Sequence, residues 1–155
     1  MQNKIAIREA RESDHPFIFG LSSTLAELAQ LDWHEDDIVQ NMQDNYISKM
    51  LAKTIEPNIT FIAESNNIPL GFIHVRTHND SISGEICGTI PLLAVSPGAQ
   101  GLGVGKTLMS VAENWAKDLD YRLLHLEVFA NNKHAKGFYD RLGFLPETLH
   151  MIKPL

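Results

Sequence analysis

The sequence predicts a single mixed α/β domain with helices on both faces of a central sheet, and three observations carry that reading. Apolar residues recur at intervals of three and four in several segments. Short β-rich runs lie between those segments, and clusters of Asn, Asp, Gly and Pro punctuate the junctions. The order that results is strand, two helices, three strands, helix, strand, helix, strand. The 155 residues suit one domain spanning 1–155, long enough to bury a core without disulfides or metals.

Each element has its own signal. Ile5 and Ile7 alternate with polar residues as a first strand, where a secretory signal would need a continuous apolar core. Ser13 and Asp14 are candidate caps for a helix facing inward through Phe17, Leu21, Leu25 and Leu28. A second helix starts at Asp36 or Asp37, faces inward through Ile38, Met42, Ile47 and Leu51, and is over by Pro57. "ITFIAES" and "PLGFIHVRTH" read as antiparallel strands joined by "NNIP", and a turn at Asn79 and Asp80 leads into "GEICGTIPLLAV". Pro91 marks a break in pairing there, because proline has no N–H to give a ladder. Leu108, Val111, Ala112, Trp115 and Leu119 form the stripe of a third helix. "RLLHLEVF" is strand-like, Ala135, Phe138 and Leu142 share a helix face, Gly143 occupies a left-handed cap position, and "LHMIKPL" reads as a closing strand.

Composition narrows the function. Thirteen Lys and Arg against nineteen Asp and Glu leave a net charge of −6, without the basic footprint that nucleic-acid binding relies on. No apolar stretch reaches the roughly 18 residues of a membrane span, so a cytoplasmic location is expected. The lone Cys87 has no partner for an internal disulfide and reads as a buried thiol in a strand.

The stretch "GAQGLGVGKT" decides the chemistry. A triphosphate loop G-x-x-x-x-G-K-[ST] ending in Gly105, Lys106 and Thr107 needs glycine at 100, where Gln100 stands. A dinucleotide fingerprint begun at Gly101 and Gly103 needs glycine at 106, where Lys106 stands. The chain instead has a strand, Q-x-x-G-x-G, then a helix. That arrangement suits either a backbone nest for a pyrophosphate at a helix N-terminus or a plain turn without a ligand.

Together, "LLAVSPGAQGLGVGKTLMSVAENWA" and "LHLEVFANNKHAKGFYDRLGF" resemble the GNAT superfamily of N-acetyltransferases, strongly over residues 90 to 145. The resemblance implies acetyl-coenzyme A as cosubstrate, with no metal. It implies a central mixed sheet splayed between its fourth and fifth strands. The main-chain amides of Gln100, Gly101, Gly103, Val104, Gly105 and Lys106 would then hold the pyrophosphate, and Leu93, Ala94 and Val95 the pantetheine arm, with an oxyanion donor at Leu93. Asn132, Ala135 and Tyr139 match the family's N-x-x-A-x-x-x-Y pattern, which implies that the Tyr139 hydroxyl protonates the departing thiolate; a helix cap for Asn132 and a core aromatic for Tyr139 are the plainer readings.

The sequence departs from the family at the base. Several members carry glutamate where Thr89 stands, and the nearest acid is Glu85, four residues back and about 13 Å away along a strand. Glu85 is the first candidate, His74 and Glu127 are reserves, and a water relay is a further option. His74 and His78 are too far apart on a strand to share a metal. The "DWHEDD" loop with Trp33 is expected over the acceptor end, its acids either drawing in a cationic amine or complementing a helix N-terminus. The acceptor is an amine of a small molecule or a peptide, with polyamine, aminoglycoside, amino acid and protein amine all open, as is homodimerisation. A non-catalytic acyl-coenzyme A sensor on the same fold is the alternative to an enzyme.

Overall fold

A computed structural model of the chain describes residues 4–53 and 55–155. Its strands are β1 (Ala6–Glu9), β2 (Asn58–Ser65), β3 (Ile68–Asn79), β4 (Ile86–Val95) and β5 (Leu124–Leu126). Its helices are α1 (His15–Gly20), α2 (Ser22–Leu28), α3 (Asp36–Leu51), α4 (Val104–Asp118) and α5 (Lys133–Arg141). The strands form one sheet in the order β1-β2-β3-β4-β5, antiparallel throughout except for the parallel pair β4–β5. Parallel pairing needs a crossover, and α4 supplies it.

Two apolar clusters sandwich the sheet. Ile73, Val75 and Ile90 pack under Val104, Leu108, Met109 and Ala112 of α4 and its approach. Phe72, Leu92 and Ile62 face Ile18, Leu21, Ile47 and Met50 from the helices that precede β2. Alternation along β3 sends Phe72 to one layer and Ile73 to the other. Gly71 is needed where these layers meet the start of α4, because a Cβ there would lie 2.7 Å from the Ala94 carbonyl oxygen.

Pro91 lies where the expected break occurs. On β3, His74 pairs with Leu92 and Arg76 with Thr89, so two β4 residues, Ile90 and Pro91, oppose Val75 alone. The bulge resets the alternation of β4: Ile90 and Leu93 pack toward α4, whereas Thr89 and Leu92 face the α1–α3 side.

Four expectations are corrected. The first helix is broken at Leu21 into α1 and α2, beside Gly20, a weak helix former. In α3 the inward residues are Val39, Gln43, Ile47 and Met50, whereas Ile38 and Met42 are exposed; a polar residue at an inward position disguised the stripe. The strand expected over "RLLHLEVF" pairs only at Leu124–Leu126, because β4 parts from it there. No strand forms in "LHMIKPL", which has no ladder partner among the described residues. Among those residues no helix is long and apolar enough to cross a membrane.

Several buried polar groups are paired, although Asn58 Oδ1 and Ser65 Oγ are buried without a hydrogen-bond partner among the described residues. Arg8 binds both Asp14 carboxylate oxygens, at 2.7 and 2.8 Å, and Glu64 at 3.0 Å, and it holds Asp14 below the usual carboxylate range. His74, almost completely enclosed, shares a 2.7 Å hydrogen bond with the Thr60 hydroxyl. Burial, helped by the charges of Arg76 and Lys53, pushes its imidazole down to about 4. The folded state therefore favours neutral His74, so its contribution is present above the unfolded value near 6.5 and is lost as pH falls toward about 4. Unfolding free energy by urea titration should drop by about 2 kcal/mol between pH 7 and pH 5 from this group. His74→Gln should remove that part of the slope.

Candidate active site

The site begins where two strands separate. β4 and β5 pair through Gly88–Leu124, Thr89–His125 and Ile90–Leu126, and then the ladder ends. β4 continues to Val95 bonded only to β3, so the outward edge around Leu93, Ala94 and Val95 has no neighbouring strand among the described residues. One filler is present: the Gln100 side-chain amide donates to the Val95 carbonyl at 3.2 Å.

Beyond β4 a 3-10 turn, Pro97–Ala99, leads into the glycine loop. Gly101 and Gly103 have φ of +79° and +80°, the left-handed region that residues with a Cβ enter at a penalty of roughly 1–2 kcal/mol. α4 is then capped from behind, as the Gly103 carbonyl accepts both the Thr107 amide at 3.1 Å and its hydroxyl at 2.9 Å. None of the N–H groups of residues 101–106 has an acceptor among the described residues, whereas the Gln100 amide makes a long 3.4 Å bond to Pro97. Successive free donors at the positive end of a fifteen-residue helix make an anion cradle.

α5 closes the same side. A Cβ on Gly105 would lie 3.3 Å from the Phe138 ring, so the start of α4 and the middle of α5 are in close contact. Asn132 is the N-cap of α5, its side-chain oxygen accepting the Ala135 amide at 3.2 Å, which is the plainer of the two roles expected for it. Tyr139 lies partly buried between Phe138 and Phe144, with ring centroids 5.3 and 5.7 Å away. Burial alone pushes its phenol up to about 12, so the hydroxyl is neutral across the physiological range.

The opposite face of the β4–β5 junction is polar. Leu124 and Leu126 pack toward α4, so His125 between them projects toward the α1–α3 side, level with Thr89. Its Nε2 lies 3.0 Å from Asp80 Oδ2, and its ring is 5.3 Å from that of His78. The other Asp80 oxygen accepts the Ile82 and Ser83 amides at 2.9 and 2.7 Å, which anchor the carboxylate and hold it in its charged form. Sequence reasoning missed this pair. Alternation in "LLHLEVF" places His125 on a face, but nothing local joins it to an aspartate across the sheet.

Glu85 is engaged elsewhere. It precedes β4, is gripped by the Arg122 guanidinium, and accepts the Ser83 hydroxyl at 2.8 Å. Arg122 and then Ser83 hold its carboxyl below the usual range, which makes it a poorer proton acceptor. His74 is enclosed against Thr60, and Glu127 is exposed beyond β5. Cys87 is buried, and that burial raises its thiol. In the "DWHEDD" loop, Asp36 and Asp37 form the first turn of α3, and Trp33 is exposed. Asn131 ties the approach to this loop to the segment before α5, donating to the Ala29 and Gln30 carbonyls at 3.2 and 2.6 Å.

A model of the acetyltransferase (GNAT) family matches residues 22–144. The chain belongs to the GNAT family. Over 93 residues it is 36% identical to a mycothiol acetyltransferase of Jonesia denitrificans, a match covering 60% of this chain but only 28% of that protein. Its fold is similar to that of a putative acetyl transferase from Pyrococcus furiosus, with a TM-score of 0.80 at 22% identity, covering 98% of this chain and 100% of the other. AAC(6')-Iy, solved with a bisubstrate analogue containing coenzyme A, superposes with a TM-score of 0.68 at 18% identity over 98% and 99% of the two chains.

In this GNAT chain the Asn132 side chain caps α5. Asn132→Ala should lower unfolding free energy by about 1 kcal/mol, as loss of an N-cap does, whereas Asn132→Asp should leave it nearly unchanged in chemical denaturation.

Proposed function

We propose that this protein transfers the acetyl group of acetyl-coenzyme A directly to a primary amine of a small molecule or peptide. The observation that carries the reading is the run of unpaired amides at 101–106, next to an unpaired strand edge and on the same side of the sheet as Tyr139. A diphosphate suits the cradle, and a peptide-like arm suits the edge at Leu93, Ala94 and Val95. The remaining contacts assigned to coenzyme A are Gln100, Asn132 and Ala135, flanking the two segments.

The chemistry asks little of the protein beyond alignment, because a thioester is already activated. The amine nitrogen bonds to the acetyl carbon, the carbon–sulfur bond breaks, and the amine loses a proton. The Leu93 amide is assigned to the developing oxyanion. Tyr139 acts on the thiolate. Complete proton transfer from a phenol near 12 to a thiolate of ordinary pKa near 8.5 is uphill by about 5 kcal/mol, so its main service is hydrogen-bond donation to charge as it develops. The buried Cys87 thiol has no part in this direct transfer.

For the amine proton the geometry favours His125 over Glu85. Asp80 takes up Nε2 of His125 and leaves Nδ1 as the ring nitrogen to meet a substrate proton, and the strand register puts the residue beside Thr89. Its role is assigned to proton removal, directly or through one water.

Thiol release across an amine panel, with calorimetry of coenzyme A binding, tests the assignment. Tyr139→Phe should lower kcat by about 10–100-fold and change the coenzyme Kd by less than about twofold. Binding without amine-dependent turnover in the parent protein would indicate a coenzyme A sensor and sink the enzymatic reading. His125→Asn should reduce kcat by at least about tenfold, whereas Glu85→Gln should stay within about threefold. The reverse order would return the base to Glu85.

A further inference from the structure

Arg76 differs from the other arginines in lacking an anion. Arg8 grips Asp14 and Glu64, Arg122 grips Glu85, and Arg11 and Arg141 are exposed to water. Arg76, on β3, is half-buried, yet it forms no ion pair with a carboxylate among the described residues. Its Nη1 donates only a long 3.4 Å hydrogen bond to the carbonyl of the adjacent Thr77. Partial removal of a guanidinium from water costs free energy that a paired anion offsets and one weak carbonyl contact does not.

The sheet sets this cation beside the site. Alternation along β3 puts Phe72, His74 and Arg76 on the face toward α1–α3. In register, Arg76 pairs with Thr89 on β4 and Thr89 with His125 on β5, so the three form one row across the strands. Two strand spacings, about 10 Å from backbone to backbone, separate Arg76 from His125, and only the short, uncharged Thr89 stands between them in that row. His78, two residues further along β3, lies on the same face with its ring 5.3 Å from that of His125.

The guanidinium is also reachable. Arg76 lines a surface depression of about 450 Å³ together with Ile55, Glu56, Thr77, His78 and Asn79. Glu56 is the acid of that lining, but its Oε2 accepts the Asn58 amide at 3.2 Å and forms no ion pair with Arg76. From α3, Tyr46 feels the same cation: burial raises its phenol, and Arg76 acts against that rise.

We infer that Arg76 is the anion clamp for the acceptor, and that the amines acetylated here also carry a carboxylate, as free amino acids and short peptides do. The planar fork of a guanidinium takes both carboxylate oxygens at once, while the amine lies toward His125 in the same row. Polyamines and aminoglycosides bring only positive charge, which the same guanidinium repels. The inference rests on the acetyl-transfer reading for the fate of the amine, but not for the binding of the carboxylate.

Acetyl transfer to matched acceptors, the common amino acids and dipeptides each beside its C-terminal amide, tests this. In the parent protein kcat/KM should be higher for the acid by about 10–100-fold, chiefly through KM. Arg76→Gln should abolish most of that preference by raising KM for the acid, and Arg76→Lys, which keeps the charge but not the fork, should retain part of it. Equal turnover of acid and amide by the parent, or faster turnover of amides or polyamines, would overturn the inference. A loss in both variants that is the same for acids and amides would mark Arg76 as structural and equally overturn it. Calorimetry of the same pairs, with and without coenzyme A, separates this inference from the acetyl-transfer reading. If no amine is turned over, the enzymatic reading fails, and the clamp is upheld by acids binding at least about tenfold more tightly than amides to the parent but not to Arg76→Gln. Acids and amides binding alike would overturn the clamp as well.

Discussion

Everything assigned to this site depends on one interruption: the ladder between β4 and β5 stops after Ile90 and Leu126. A sheet strand without a neighbour must satisfy its outward amides and carbonyls with something other than backbone. Here the parting coincides with a bulge at Ile90 and Pro91, where proline's missing N–H removes one ladder bond and the extra residue rotates the remainder of the strand. The opening between the strands is therefore a by-product of pairing rules, and its walls are main chain. Gly71 and Gly105 keep those walls close by leaving out side chains that would push α4 off the sheet or α5 off α4.

An acidic protein offers an anion no help from its overall charge. With a net charge of −6, the field of the whole molecule offers no attraction to an anion, whereas the loop at 101–106 presents oriented amides without acceptors among the described residues. Backbone donors at a helix N-terminus are fixed in place by the helix itself, so they need no rotamer ordering when an anion arrives. The cost sits in Gly101 and Gly103, whose left-handed conformations only glycine adopts cheaply. Burial acts in one direction on the neighbouring titratable groups: Tyr139, Cys87 and His74 are all driven toward their neutral forms. A reaction that needs a neutral phenol and no reactive thiol is compatible with all three.

On the opposite face, charge is organised by pairing rather than by burial. Asp80 is locked by the Ser83 and Ile82 amides and aims its second oxygen at His125, while Glu85 is spent on Arg122. The two acids lie five residues apart around one turn and have different tasks. One orients an imidazole beside the strand junction, and the other pins the turn to the segment leading into β5. Anchoring of this kind fixes the orientation of an imidazole without conformational search.

The sequence by itself determined the layer order, the glycine turn ahead of α4 and the break at Pro91, since helix stripes, Q-x-x-G-x-G spacing and a proline in a strand are local patterns with local causes. The family resemblance of the second segment marked Tyr139 and Asn132 as candidates. Other features became visible only when distant residues met. The inward face of α3 was hidden by buried Gln43, the length of β5 is set by where β4 leaves it, and the strand promise of 149–155 has no ladder partner in its own chain. His125 and Asp80 are 3.0 Å apart in space although well separated in sequence, and the capture of Glu85 by Arg122 likewise needs the sheet to be assembled. Patterns within a turn or two of chain follow from the chain's own stereochemistry. Pairings across the sheet follow from which edges remain open once every strand has taken its place, and only the tertiary structure decides that.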